Sequence, residues 1–266
     1  MTATESALQP QPVPPRAPTG ASLPPPTLGP APDWVRGATP IGDAGFLIEM
    51  VTKHAPATMV EIGVASGVSS AVLLYALDRL PDIPGGRRLY SCDIHPACYF
   101  DATHATGEAV ASMYPRPRTE WILDTNIDTR RLSQTMAPSS VELAFIDANH
   151  YHPWPLLDLL HTTVLLRPGA WVILHDTNLP IVSPECSVWG AKWLFDEWPF
   201  EKIAGAGAAR NIGAVKLPAD LRRLIPFAAS LIERQWEFAP TLWHVALPTP
   251  FEPVQDLVRA RIELGE

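Results

Sequence analysis

Cysteine is scarce in this 266-residue chain: Cys92, Cys98 and Cys186 are odd in number and lack zinc-ligand spacing. That excludes a disulfide framework and a cysteine zinc site, and it points to a reducing compartment. Cys92 lies within an expected strand and reads as plain core. Basic residues are also few, 20 Lys and Arg against 28 Asp and Glu, for a net charge of −8. They form no cluster, and the pairs Arg130-Arg131 and Arg222-Arg223 read as solvated helix faces. Nucleic acid is therefore not an expected partner, because phosphate contacts need clustered cations. No apolar run reaches the length of a membrane span and no signal peptide is recognised, so a cytoplasmic location is expected.

Proline, by contrast, is abundant. Ten of the thirty prolines fall in residues 1–32, a stretch with almost no charge. Such a segment cannot build a core, and a disordered or extended tail is expected there. The remainder, 47% hydrophobic overall, is long enough for one globular domain with extensions. Phe46, Leu47, Met50 and Val51 recur at helical spacing over Ile41–His54. Strands are expected near 58–63, 88–93, 119–123, 141–147 and 171–176, with helices near 69–80, 98–114, 126–136 and 154–166 between them. This alternation implies a parallel sheet with helices on both faces. A Trp-rich helix over 188–198 and two short strands near 200–204 and 211–217 would complete seven strands. Beyond Leu217, helices broken at Pro226 and a terminal helix over 254–264 are expected.

The segment Val60-Glu61-Ile62-Gly63-Val64-Ala65-Ser66-Gly67-Val68-Ser69-Ser70 carries the most information. An apolar strand ends in an acid and runs into a glycine turn and a helix. Gly63 and Gly67 let the backbone bend tightly and approach a ligand, and the helix start offers free N–H groups. That is a nucleotide-type cofactor site at the carboxyl edge of a parallel sheet. Ala65 stands where a dinucleotide fingerprint needs its second glycine, and Glu61 would repel a pyrophosphate. A cationic or zwitterionic ligand suits the turn better. Three more apolar runs end in acids: Arg88–Asp93, Val141–Asp147 and Trp171–Asp176. An acid in the place of Asp93 accepts hydrogen bonds from ribose hydroxyls in such sites.

Four strand-end acids in this order, with the glycine turn, resemble class I S-adenosylmethionine-dependent methyltransferases over residues 40–217. The resemblance implies a Rossmann-like, seven-stranded, mostly parallel sheet whose last strand is antiparallel. It divides the chain into a tail (1–32), a methyltransferase domain (33–217) and a helical extension (218–266) packed on it. It places the turn beside the methionine moiety, with Glu61 holding that end directly or through the backbone, and Asp93 on the ribose. Either Asp124 or Thr125 would contact adenine, although a plain turn explains both residues equally well. Ser69 or Ser70 would cap the helix or reach the cofactor, and Asp147 closes the cofactor-binding set.

Ile146-Asp147-Ala148-Asn149-His150-Tyr151-His152 resembles the Ile-Asp-x-x-His-x-Tyr motif of the small-molecule O-methyltransferase branch, with the tyrosine one place early. In metal-dependent members the acids after the fourth and fifth strands hold a divalent cation. These are Asp147 and Asp176 here, and Mg2+ or a similar ion would activate a substrate hydroxyl. Asn does not directly follow the second acid, since the chain reads Asp176-Thr177-Asn178. Thr177 or Asn178 would then supply the missing oxygen, or His175 a nitrogen that favours a borderline metal. An acceptor hydroxyl must also lose its proton. His150 is the first candidate base, with His152 and His175 as rivals. Tyr151 and Trp154 are candidates for stacking on an acceptor, whereas Trp189, Trp193 and Trp198 read as core.

The function expected from these residues is O-methylation of a small molecule, aromatic or sugar-containing, by a homodimeric enzyme. A non-catalytic cofactor-binding protein and a metal-dependent oxygenase or hydrolase are the alternatives. The former has no use for a base beside the methyl group, and the latter none for the glycine turn and Asp93.

Overall fold

The computed structural model describes residues 27–36, 39–208, 210–242 and 245–265. Most of the proline-rich tail thus lies outside the described residues. Seven strands form one sheet: β1 (Thr58–Ile62), β2 (Arg88–Asp93), β5 (Glu120–Thr125), β6 (Val141–Ile146), β7 (Leu166–His175), β8 (Lys202–Ala204) and β9 (Ile212–Lys216). Their order is β5-β2-β1-β6-β7-β9-β8. β9 runs antiparallel to both of its neighbours, and the other pairings are parallel. β1 and β6 are buried along almost their whole length, as central strands covered on both faces must be.

One face carries α1 (Ile41–His54), α2 (Val68–Asp78) and α3 (Val110–Met113); their apolar residues pack with Met59, Leu89, Leu143 and Ile173. The other face carries α4 (Thr129–Thr135), α5 (Trp154–Thr162) and α7 (Gly190–Asp196), packed on Val60, Ile62, Ala144 and Val172. A short α6 (Leu179–Val182) follows β7. After a 3-10 turn at Leu221–Leu224 come α8 (Ile225–Ile232), another 3-10 turn at Thr249–Phe251, and α9 (Glu252–Leu264). Pro226 opens α8, where its missing N–H costs nothing. Ala228, Leu231, Ile232, Phe251, Val254 and Val258 join the same core as β7 and α7, so the extension is continuous with the domain.

Two stretches differ from the sequence expectation. The helix expected over 98–114 begins instead as a hairpin, β3 (Ala97–Cys98) with β4 (Asp101–Ala105), and only 110–113 is helical. Gly107 at φ +81 breaks the helical path, and side-chain bonds hold the turns: Asp101 Oδ1 accepts from Thr103, and Glu108 Oε2 from the Ala105 N–H. Trp34 stacks on His104 of this hairpin at 3.8 Å. β7 also starts early, at Leu166, because Pro168-Gly169 forms an irregularity inside the strand rather than a turn before it.

Register fixes the functional edge. The Asp147 N–H donates to the Ile62 carbonyl (2.8 Å), and the Gly63 N–H to that of Cys92 (2.9 Å). A Cβ on Gly63, at φ +87, would stand 2.1 Å from the Asp147 carbonyl oxygen. Gly85 has nearly the same φ, +84, but faces open space. Gly85→Ala should therefore show only left-handed strain of about 1–2 kcal/mol, whereas Gly63→Ala should cost more than about 4 kcal/mol through the backbone clash. Urea unfolding of both variants compares them, and equal losses would contradict the close approach.

Candidate active site

The glycine turn is held from two sides. Asp93 Oδ2 accepts from the backbone N–H groups of Val64 (2.9 Å) and Ala65 (3.1 Å), and its Oδ1 from His95 (2.9 Å). Below the turn Glu61 is fully buried, and its carboxylate accepts three hydroxyls, from Ser69, Ser70 and Ser91, each at 2.6 Å. Ser91 in turn accepts from the Trp121 indole at 3.0 Å. The two serines thus do not cap α2; its N-cap is Gly67, which makes no side-chain cap bond. Glu61 acts on the turn through these side chains rather than by facing a ligand. Burial pushes its carboxyl up to about 7, against the opposing pull of the three serines.

A small cleft over the turn is lined by Arg36, Thr39, Val64, Ala65, Ser66, Val68, Ser69, Tyr99 and Asp147. Arg36 precedes α1 and Tyr99 sits on the β3–β4 hairpin, and neither stood out in the sequence. Burial, then the charges of Asp147 and Asp176, raise the Tyr99 phenol. Thr125 is level with Asp93 at the carboxyl edge. Asp124 instead lines a separate cavity of about 400 Å³, bordered by Arg88, Tyr90, Leu132 and Met136.

Acids and histidines converge at the ends of β6 and β7. His150 Nε2 lies 3.0 Å from Asp176 Oδ2. His175 Nδ1 lies 3.2 Å from Asp147 Oδ1 and 3.4 Å from Asp176 Oδ1, and its Nε2 3.3 Å from Asp43 Oδ2. Asn211, at the turn into β9, donates its side-chain amide to Asp176 Oδ1 and accepts from the Asn178 N–H at 3.0 Å. Asp176 adopts φ +57, a strained left-handed conformation that recurs at functional sites.

Burial disfavours charge on His150, but the hydrogen bond and charge of Asp176, with Asp147, outweigh it and raise its pKa. His175 goes well above its ordinary value: burial again opposes, and Asp147 first, then Asp176 and Asp43, overcome it. Asp176 falls below the usual carboxylate range, because the two imidazoles outweigh the cost of its burial. His152 is different. It is buried against the Leu231 carbonyl (2.9 Å), and burial lowers it to about 4, which fits a core role. Tyr151 is half exposed, with its ring 6.3 Å from that of Phe238; the Trp154 indole donates to the Phe238 carbonyl at 3.0 Å. Trp189 and Trp193 stack at 6.1 Å, and Trp198 is buried.

Among the described residues one group places metal-competent atoms together: Asp147, His175 and Asp176, all within 4.8 Å of one another. The buried Oγ1 of Thr177 makes no hydrogen bond. His175, one of the ligands expected beside the two acids, brings its Nδ1 to 3.2 Å from Asp147 Oδ1 and 3.4 Å from Asp176 Oδ1. Asp43 was not anticipated at all, although as the lone acid three and four residues before Phe46 and Leu47 it sits on the buried face of α1.

Residues 60–177 match a protein-family model described as a methyltransferase domain. No curated protein matches the chain. Among solved structures, the cofactor-bound protein Rv0187 from MTB is 18% identical, with 70% of this chain and 83% of that one covered and a TM-score of 0.50. An O-methyltransferase from Bacillus cereus in complex with SAH is 18% identical over 68% of this chain and 84% of that one, with a TM-score of 0.48. The O-methyltransferase TomG from Streptomyces achromogenes is 20% identical over 68% and 82%, with a TM-score of 0.43. The sheet order and the glycine turn already described agree with that match, so residues 60–177 are similar to a methyltransferase domain.

The raised Glu61 pKa has a measurable consequence. Between its unfolded value, 4.5, and about 7, the folded state holds a proton that the unfolded state has lost, so stability falls as pH rises through this window. Glu61 alone should contribute a loss of roughly 3 kcal/mol. Urea midpoints from pH 5 to 8 should decline less in Glu61→Gln than in the native protein. Parallel declines would contradict the assignment.

Proposed function

We propose that the chain methylates a hydroxyl of a small molecule, with S-adenosylmethionine held over the glycine turn and the acceptor beside His150. The observation that carries this reading is the pairing of His150 with Asp176 next to that turn, at 3.0 Å with about a third of the imidazole exposed. When bound, S-adenosylmethionine supplies a sulfonium methyl group, which suits in-line displacement, so the protein mainly positions two reactants. Gly63 and Gly67 let the turn pack against the backbones of Asp147 and Gly107, and Asp93 fixes the turn by accepting the Val64 and Ala65 N–H groups. Thr125, which is level with Asp93 at the end of β5, is the residue we assign to the adenine.

With Nε2–H directed at Asp176, His150 keeps a lone pair on Nδ1. It takes the acceptor's proton there as oxygen attacks, and Asp176 stabilises the resulting imidazolium. The donor set of Asp147, Asp176 and His175 fits a divalent cation: its nearest atoms are 3.2 and 3.4 Å apart, close to the roughly 3–3.5 Å between neighbouring ligands with bonds near 2.1 Å. Such an ion would lower the pKa of the acceptor hydroxyl. Tyr151, next to His150 in the chain and with its ring 6.3 Å from that of Phe238, favours an aromatic acceptor, and a cytoplasmic homodimer is the assembly we propose.

Transfer of labelled methyl from S-adenosylmethionine to a panel of phenols, sugars and amines tests the reading. Phenols or sugars should be methylated, and His150→Gln should lower kcat by about 10²–10⁴ without changing cofactor affinity. Methylation of amines alone, or an undiminished rate in His150→Gln, would contradict it.

A further inference from the structure

A metal site built from a buried histidine needs that histidine's tautomer fixed. Asp43 comes from α1, outside the matched segment 60–177. It is wholly buried, and its Oδ2 makes no hydrogen bond in ideal geometry. The same is true of both ring nitrogens of His175, which is nine-tenths buried. A buried polar atom without a partner is costly. The nearest match for Asp43 Oδ2 is His175 Nε2, 3.3 Å away, while the Asn211 N–H, at 3.5 Å, serves the other oxygen.

A proton on Nε2 directed at Asp43 leaves the Nδ1 lone pair facing Asp147 Oδ1 and Asp176 Oδ1. Three electron-pair donors then converge with no proton between them, an arrangement that calls for a cation. An imidazole among carboxylates also suits Mn2+, Fe2+ or Zn2+ better than Mg2+.

Resting on the cation reading given above, we propose that Asp43 is a positioning residue. It holds His175 in the Nε2–H tautomer, so that Nδ1 completes a site of two carboxylates and one imidazole for a borderline divalent ion. Helix α1 thereby becomes part of metal loading, although no atom of it would touch the ion.

Full-length protein stripped with chelator and titrated with Mn2+ tests this, read by electron paramagnetic resonance with nitrogen hyperfine detection rather than by activity. The native protein should bind one Mn2+ more tightly than Mg2+, with one strongly coupled nitrogen. Asp43→Asn should weaken Mn2+ binding about 10–100-fold, His175→Gln should abolish the nitrogen coupling, and Asp147→Asn should abolish binding. Thermal melts of the metal-free variants identify any that fail to fold, and Asp43→Ser then replaces Asp43→Asn. Mn2+ binding that needs Asp147 but shows no nitrogen coupling, or that Asp43→Asn leaves intact, would overturn the role of Asp43 and leave the cation reading standing. No Mn2+ binding by the native protein would overturn both, leaving His175 as an imidazolium among three carboxylates.

Discussion

The site depends on one close approach, that of the backbone after β1 to the backbone after β6. Gly63 passes so near the Asp147 carbonyl that no side chain fits between them. The Asp147 N–H is bound to Ile62 and the Gly63 N–H to Cys92. Three neighbouring strands therefore end level, and their terminal groups face one edge. Helix α2 begins directly after the turn, and Asp93 from the next strand secures the turn's N–H groups. The glycine turn and the acid–histidine group are placed by the same few backbone bonds.

Two buried acids on this edge show how partners decide charge. Glu61 receives three hydroxyl hydrogen bonds, yet burial still lifts it to about 7. Asp176 is also buried, but His150 and His175 carry it the other way. Neutral dipoles do not offset desolvation here, whereas facing imidazoles do. The carboxyl beneath the turn and the carboxyl at its edge thus differ in their neighbours rather than in their depth of burial. The serines that the helix start offered for capping are used for Glu61 instead, and α2 begins on a glycine.

Much of this was legible from residues 58–176. Apolar runs ending in acids gave the strand ends, and those ends carry Asp93, Asp147 and Asp176. Periodicity found α1, and Pro226 marked the start of α8. The hairpin at 97–105 was not legible, because its turns are held by local side-chain bonds of Asp101 and Glu108 that leave no alternating apolar pattern. Asp43 and Asn211 reach the site only through tertiary packing, from an element before β1 and from the start of β9. His152 is two residues from His150, yet it is turned into the core against α8.

The central claim, that the edge formed by β1, β2 and β6 is a cofactor site, is tested most directly by calorimetric titration of the native protein with S-adenosylhomocysteine. Binding at one site per chain, with a Kd on the order of 1 μM, is the predicted result. Absence of binding to protein shown to be folded would contradict it.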